Sequence, residues 1–221
     1  MLTPYAITRA GTEAGEFSDC YGRTLRAVES FGLSLLVGDP IDAECDAEGF
    51  MDTVALIHEH ACCVPVRLDD PLNDETAVRR LLETGADRFT RLLDRLTGAD
   101  EWSVRVEAPI RDHAPPPAGT PPAADSASGR SYLRQRRRDL DTASGIHPEV
   151  SDLIAVLSHA LAPLARDTRT LPAKHGAGSL ALLVDRDRDI TPSFRAAAAD
   201  ATLPCMLSGP WPPFSFVSLA T

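Results

Sequence analysis

The densest group of side chains able to do chemistry in this 221-residue chain is His58-Glu59-His60-Ala61-Cys62-Cys63. Two imidazoles, two thiols and a carboxylate in six positions are the ingredients of a zinc site or of nucleophilic catalysis. Spacing decides how they can be used. On a helix His58 and Cys62 stand four apart and share a face, the separation that zinc ligands use, whereas His60 points elsewhere. The order is not His-Glu-x-x-His, and no Cys-x-x-Cys follows downstream to complete a ligand set. The group therefore reads as a helix end with buried thiols and exposed imidazoles, holding no metal. A metal-binding enzyme built on His58, His60 and Cys62 is the alternative. Other chemistries find less support. No Gly-x-Ser-x-Gly elbow occurs, and Gly176-Ala177-Gly178-Ser179 lacks the strand-to-helix setting of one. Neither Gly-x-Gly-x-x-Gly nor a phosphate-binding Gly-Lys-Ser/Thr loop is present. The residues predict neither an enzyme nor a cofactor.

A second group is physical rather than chemical. Gly209-Pro210-Trp211-Pro212-Pro213-Phe214 sets three prolines around one of the chain's two tryptophans. Proline fixes φ, so Trp211 and Phe214 are held apart at little entropic cost. Aromatics presented in this way suit capture of a partner or docking on the chain's own surface.

The formal charge is −10. Residues 1–107 hold 21 acids against 10 bases, while the remainder is nearly neutral. An acidic first half argues against a nucleic-acid partner, which needs a basic face. The run Arg134-Gln135-Arg136-Arg137-Arg138 reads as a solvated helix face or an intramolecular partner for that acidity. Five cysteines without a secretory signal fit reduced thiols in a cytoplasm. No stretch approaches the ~18 apolar residues of a membrane span, so no membrane partner is expected.

The elements that must position these groups follow from periodicity. Tyr5-Ala6-Ile7-Thr8 and Phe31 to Val37 read as strands, and Cys63-Val64-Pro65-Val66 as a short extended piece whose proline favours an edge. Helices are expected over 19–30, from Leu25 and Val28, and over 46–60, from Phe50, Val54 and Ile57. Asn73 or Asp74 caps a long helical region through Leu96, which Gly85 divides in two. Glu101 to Glu107 alternates as a half-buried strand does. Beyond it, 109–129 is a Pro/Ala-rich linker. Helices follow over Arg130 to Leu140 and over 148–166, then a strand at Ser179–Val184, a helix capped by Thr191 with Pro192 at its first position, and a strand over Leu203–Leu207. The expected fold is α+β in two domains. Residues 1–108 form a ferredoxin-like domain, and 130–221 a smaller α+β domain ending in the extended aromatic and proline tail.

Gly209-Pro210-Trp211-Pro212-Pro213-Phe214-Ser215-Phe216-Val217 is similar to the C-terminal signature of the gas vesicle L/F protein family. Three further stretches fall in that family's order. Gly129 to Arg137, containing Tyr132, Leu133 and Arg137, resembles a helix start with trailing basic residues. Leu183-Val184-Asp185-Arg186 resembles a strand ending in Val-Asp. His58, then Val64-Pro65-Val66-Arg67, then Glu101-Trp102-Ser103-Val104 match the first-domain pattern of a helix-borne His, a Pro-x-Arg strand and a Glu-Trp strand, although Leu68-Asp69 stands where the family has Phe-Gly. The resemblance implies a gas vesicle assembly protein found in the cytoplasm and with the vesicle. It also implies partners, namely the small apolar shell protein and other accessory proteins, and no cofactor. A relative redeployed as a general interaction protein is the other alternative.

Overall fold

A computed structural model describes residues 1–41, 47–66, 72–107, 148–174 and 177–217. The linker 109–129, the expected helix Arg130 to Leu140 with Tyr132, Leu133 and Arg137, and Arg67 all lie outside the described residues. The chain divides into two compact units. The first comprises Met1–Trp102, Leu183–Arg188 and Gly209–Thr221; the second comprises Ser103–Leu182 and Asp189–Ser208.

The first unit is built on four strands, β1 (Thr3–Arg9), β2 (Arg26–Ser30), β3 (Leu33–Gly38) and β4 (Val64–Pro65). Their order is β2-β3-β1-β4, that of a ferredoxin-like sheet, and every pairing is antiparallel. Pro65 sits on the edge strand, where a missing N–H costs no ladder bond. All six residues of β3 are buried. Because successive side chains point to opposite faces, that pattern requires cover on both sides of the sheet. Helix α1 (Ala47–His60) packs Phe50, Val54 and Ile57 into one cluster with Tyr5, Phe17, Leu25 and Leu36. The Tyr5 and Phe50 rings stack at 5.1 Å. Helix α2 (Glu75–Leu96) packs along all four strands.

The helix expected over 19–30 is absent. Asp19 instead accepts hydrogen bonds at 2.9 Å from the backbone N–H groups of Tyr21 and Arg23, and at 2.6 Å from Arg23 Nε. Burial raises its pKa, but the hydrogen bonds from Arg23 and Tyr21 outweigh this and hold the carboxyl below its usual range. With Gly22 at φ +73°, this side-chain turn ends any helix before it starts and delivers the chain into β2. Leu25 and Val28, three apart, look like one helix face; in fact Leu25 closes the loop and Val28 is the inward residue of a strand. Phe31 at φ +52° and Gly32 at φ +73° then make a two-residue hairpin turn.

Helix α2 is one uninterrupted helix, not two. Asp74 caps it by accepting from Ala77 N at 2.9 Å. Gly85 leaves room rather than breaking the helix: a Cβ there would stand 2.3 Å from the ring of Phe89, itself 2% exposed.

The second unit packs helix α3 (Pro148–Leu161) through Val150, Ile154, Leu157 and Leu161, all on one stripe. The helical stretch expected to 166 ends earlier, in a 3-10 turn at Ala162–Leu164. Helix α4 (Thr191–Ala197) packs against α3. Its capping differs from expectation: Thr191 is already helical, and the Asp189 carboxylate accepts the Thr191 N–H at 2.8 Å. Strands β5 (Ala99–Val106), β6 (Asp167–Lys174), β7 (Ala177–Asp185) and β8 (Cys205–Trp211) form a second sheet in the order β6-β7-β5-β8. Strands β5, β7 and β8 contribute residues to both units.

Helix propensity alone makes Gly85→Ala stabilising by about 1 kcal/mol. The Phe89 ring reverses that sign: the variant is expected to lose about 1–3 kcal/mol in urea unfolding, the usual cost of overpacking. A gain in stability would show that the ring has somewhere else to go.

Candidate functional site

The apolar stripe of α1 carries one polar intruder. His58, four residues after Val54, is 6% exposed, and a buried imidazole needs partners. It finds them within the first unit. Nε2 lies 2.8 Å from Oδ1 of Asp100 on β5, and Nδ1 lies 3.9 Å from the Cys63 thiol. Arg186, at the end of β7, completes the group. Its Nε donates to the same Asp100 oxygen at 2.8 Å, and Nη2 donates to the His58 carbonyl at 2.6 Å. A guanidinium there also suits the negative end of the α1 dipole.

Burial is the main cause that pushes the His58 pKa below the ordinary histidine value; the hydrogen bond it donates to Asp100 opposes this and the Arg186 charge adds to it. His58 is therefore neutral at neutral pH. It donates Nε2–H to Asp100 and accepts at Nδ1 from the Cys63 S–H. The order Cys-His-Asp matches that of a thiol nucleophile, its base and the base's orienting group. Access rules the chemistry out: Cys63 is 0% exposed, and burial pushes its thiol far above the usual range.

The other members of the 58–63 group go elsewhere. His60 Nδ1–H donates to the Leu56 carbonyl at 2.9 Å, and its ring meets Phe17 edge-on. Cys62 is not on the helix face with His58, because α1 ends at His60. Its thiol donates to the Leu93 carbonyl at 3.4 Å and accepts from the Thr97 hydroxyl at 3.5 Å. The shared metal face of His58 and Cys62 is thus lost. Among the described residues no group of three or more His, Cys, Asp or Glu is placed to hold a metal.

The tail leaves the sheet later than the sequence suggests. The strand expected over Leu203–Leu207 runs as β8 to Trp211, taking Gly209 and Pro210 into an edge strand. Gly209 lies at φ +138°, and a Cβ on it would fall 2.9 Å from the Glu101 carbonyl oxygen. No other residue fits that approach. Past Trp211, Pro212 and Pro213 are buried, and Phe214–Phe216 form a 3-10 turn. Phe216 is 1% exposed, and Phe214 packs against the cluster of Tyr5, Phe50 and Ile57. Glu101, itself buried, clasps the turn: one carboxylate oxygen accepts the Ser215 N–H at 2.7 Å and the other the Ser215 hydroxyl at 2.6 Å.

Trp211 alone of the tail aromatics faces outward, at 46% exposure. With Pro210 and Pro212 it walls a cleft of about 310 Å³. His58, Asp100 and Arg186, with Ala55 and Glu59 of α1, complete its lining. Pro65 is buried in its edge strand, and Trp102 lies half-buried in β5. Sequence reasoning missed Asp100, Glu101 and Arg186 as functional positions. One signal was present: His58 at helical spacing from Val54 marks a polar group on an apolar face. Arg186 and Glu101 lie in stretches that resemble the family, but nothing in the sequence marks their side chains as partners of His58 and Ser215.

Comparison with known proteins places these features. The family described as "Gas vesicle synthesis protein GvpL/GvpF" matches residues 4–218. A curated relative, gas vesicle protein L of Streptomyces sp. (strain CB03234), is 35% identical over 198 residues, which cover 82% of this chain and 73% of the relative. In fold, the chain is similar to the crystal structure of gas vesicle protein GvpF from Anabaena sp. PCC7120, with a TM-score of 0.69 at 14% identity, covering 100% of this chain and 97% of that one. It is similar also to GvpF from Microcystis aeruginosa, with a TM-score of 0.68 at 14% identity and 99% of each chain covered.

Two outcomes follow from the His58 network. Below about pH 6.5 the unfolded chain binds a proton that folded His58 resists, so its contribution is full above that pH and is lost as pH falls through the depressed folded value. The melting temperature of the native sequence should therefore drop more between about pH 7.5 and about pH 5.5 than that of His58→Gln. Parallel profiles would remove His58 as the responsible group. In native protein, iodoacetamide followed by mass spectrometry should modify exposed Cys20 and spare Cys63 by roughly a hundredfold in rate. Comparable labelling would mean that the thiol is reachable after all.

Proposed function

The chain belongs to the GvpL/GvpF family of gas vesicle synthesis proteins, and on that premise we propose that it acts in vesicle assembly by binding polypeptides rather than by catalysis. The partners in this reading are the small apolar shell protein and other accessory proteins. The place of action is the cytoplasm and the growing vesicle.

One observation carries the reading. The tail is fastened by the Glu101–Ser215 clasp and by buried Pro212, Pro213 and Phe216, yet Trp211 in its midst is left facing outward. A rigidly mounted, exposed tryptophan supplies a large contact area while losing little freedom on binding. Phe214 and Phe216 belong to the anchor, so replacing them tests the fold as much as any partner. Trp211 separates the two. The reading of His58, His60 and Cys62 as a metal-dependent enzyme gains no support, because the three side chains turn to different partners.

The test is co-purification of the tagged full chain with co-expressed shell protein. Trp211→Ala should change folding stability by no more than about 0.5 kcal/mol, as an exposed position does, while lowering retention by roughly tenfold or more. Retention unchanged by the substitution would reduce the tail to a clasp. No retention by the native sequence would sink the shell-protein partnership.

A further inference from the structure

We propose that the cleft beside Trp211 is a receptor for one arginine side chain carried by a polypeptide partner. This rests on the reading that the chain works by holding such partners, and it names the chemistry by which one is recognised.

The cleft's charges point to a cation. Its lining holds two carboxylates, Glu59 and Asp100, against the single guanidinium of Arg186, and His58 is neutral. Arg186 is already committed, with Nε on Asp100 and Nη2 on the His58 carbonyl. With Arg186 paired to Asp100, the lining keeps one carboxylate in excess, that of Glu59. Both hydrogen bonds to Asp100 arrive at Oδ1, which leaves its second oxygen unengaged among the described residues. Glu59 is exposed and has no ion pair or hydrogen bond among the described residues. It brings to the cleft lining a carboxylate with no ion-pair partner among the described residues.

The shape selects among cations. Trp211 brings an aromatic side chain to the lining, with its sequence neighbours Pro210 and Pro212. A planar guanidinium stacks on such a ring and still presents N–H groups in its own plane to a carboxylate; a lysine ammonium does one or the other less well. About 310 Å³ accommodates one long side chain and not a folded segment. The chain's formal charge of −10 favours the approach of a basic partner from a distance.

The test uses the full chain and three small probes: the N-acetyl amides of arginine, lysine and citrulline. The readout is the indole N–H signal of Trp211 in a two-dimensional NMR spectrum. The chain has only two tryptophans, and Trp211→Phe assigns the signal. Arginine amide should shift it saturably, with a dissociation constant on the order of millimolar for so small a ligand. Lysine amide should bind about threefold or more weakly, and citrulline amide, of the same shape without charge, should not saturate. Glu59→Gln should weaken arginine binding by about fivefold. Equal shifts from citrulline, equal affinity for lysine, an unchanged constant in Glu59→Gln, or no saturable shift would each overturn the assignment. Failure here with shell-protein retention intact removes the cleft and keeps the assembly reading. Success here with no retention keeps the cleft and directs the search to a different, arginine-bearing partner.

Discussion

Two adjacent carboxylates on β5 hold the first unit's working parts in place. Successive residues of a strand point to opposite sides. Asp100 thus turns toward His58 and Arg186, while Glu101 turns toward Ser215. Each carboxylate is removed from most solvent and would be costly there alone. Each accepts two hydrogen bonds from N–H or O–H donors on segments distant in sequence, and charge-assisted bonds of this kind are about twice as strong as neutral ones. The end of α1, the end of β7 and the start of the tail therefore have one shared reference, two residues long. Gly209 shows how close the fit is, since a single added carbon would strike the Glu101 backbone.

The same network shows why a list of reactive residue types is a poor guide to activity. Thiol, imidazole and carboxylate stand in catalytic order at Cys63, His58 and Asp100, with a hydrogen bond where a mechanism would want one. Burial changes what they are. It lowers the imidazole's affinity for a proton and raises the thiol's, so the pair rests as neutral histidine and S–H. The group is a set of satisfied polar contacts that fixes a helix end. Beside this group Trp211 and Glu59, both exposed, add an aromatic ring and a carboxylate to the cleft lining.

Within the tail, one short sequence does two jobs. Pro212, Pro213 and Phe216 are interior residues and Phe214 leans on the core, while Trp211 alone is turned out. The prolines restrict φ on both sides of the tryptophan, so the ring is aimed by the backbone as well as by contacts. One defined aromatic contact is exposed, and the rest of the apolar surface of the segment stays covered.

Much of the architecture was legible in residues close together in sequence. The helices over 47–60 and 75–96 follow from apolar positions at helical spacing, and the capping by Asp74 from one side chain reaching three residues on. The proline and aromatic order at 209–217 carried the family. Local reasoning failed where two readings share a spacing. Leu25 and Val28 suit a helix as well as a loop and strand, until the Asp19 turn decides, and Gly85 reads as a break until the Phe89 ring is seen to need its space. Nothing local marks Asp100, Glu101 and Arg186 as partners of His58 and Ser215. Those bonds join residues 42, 86, 114 and 128 positions apart. Periodicity and capping act over a few residues and are written in the sequence itself. Which buried charge meets which donor is settled only when the strands have paired and brought distant segments within 3 Å.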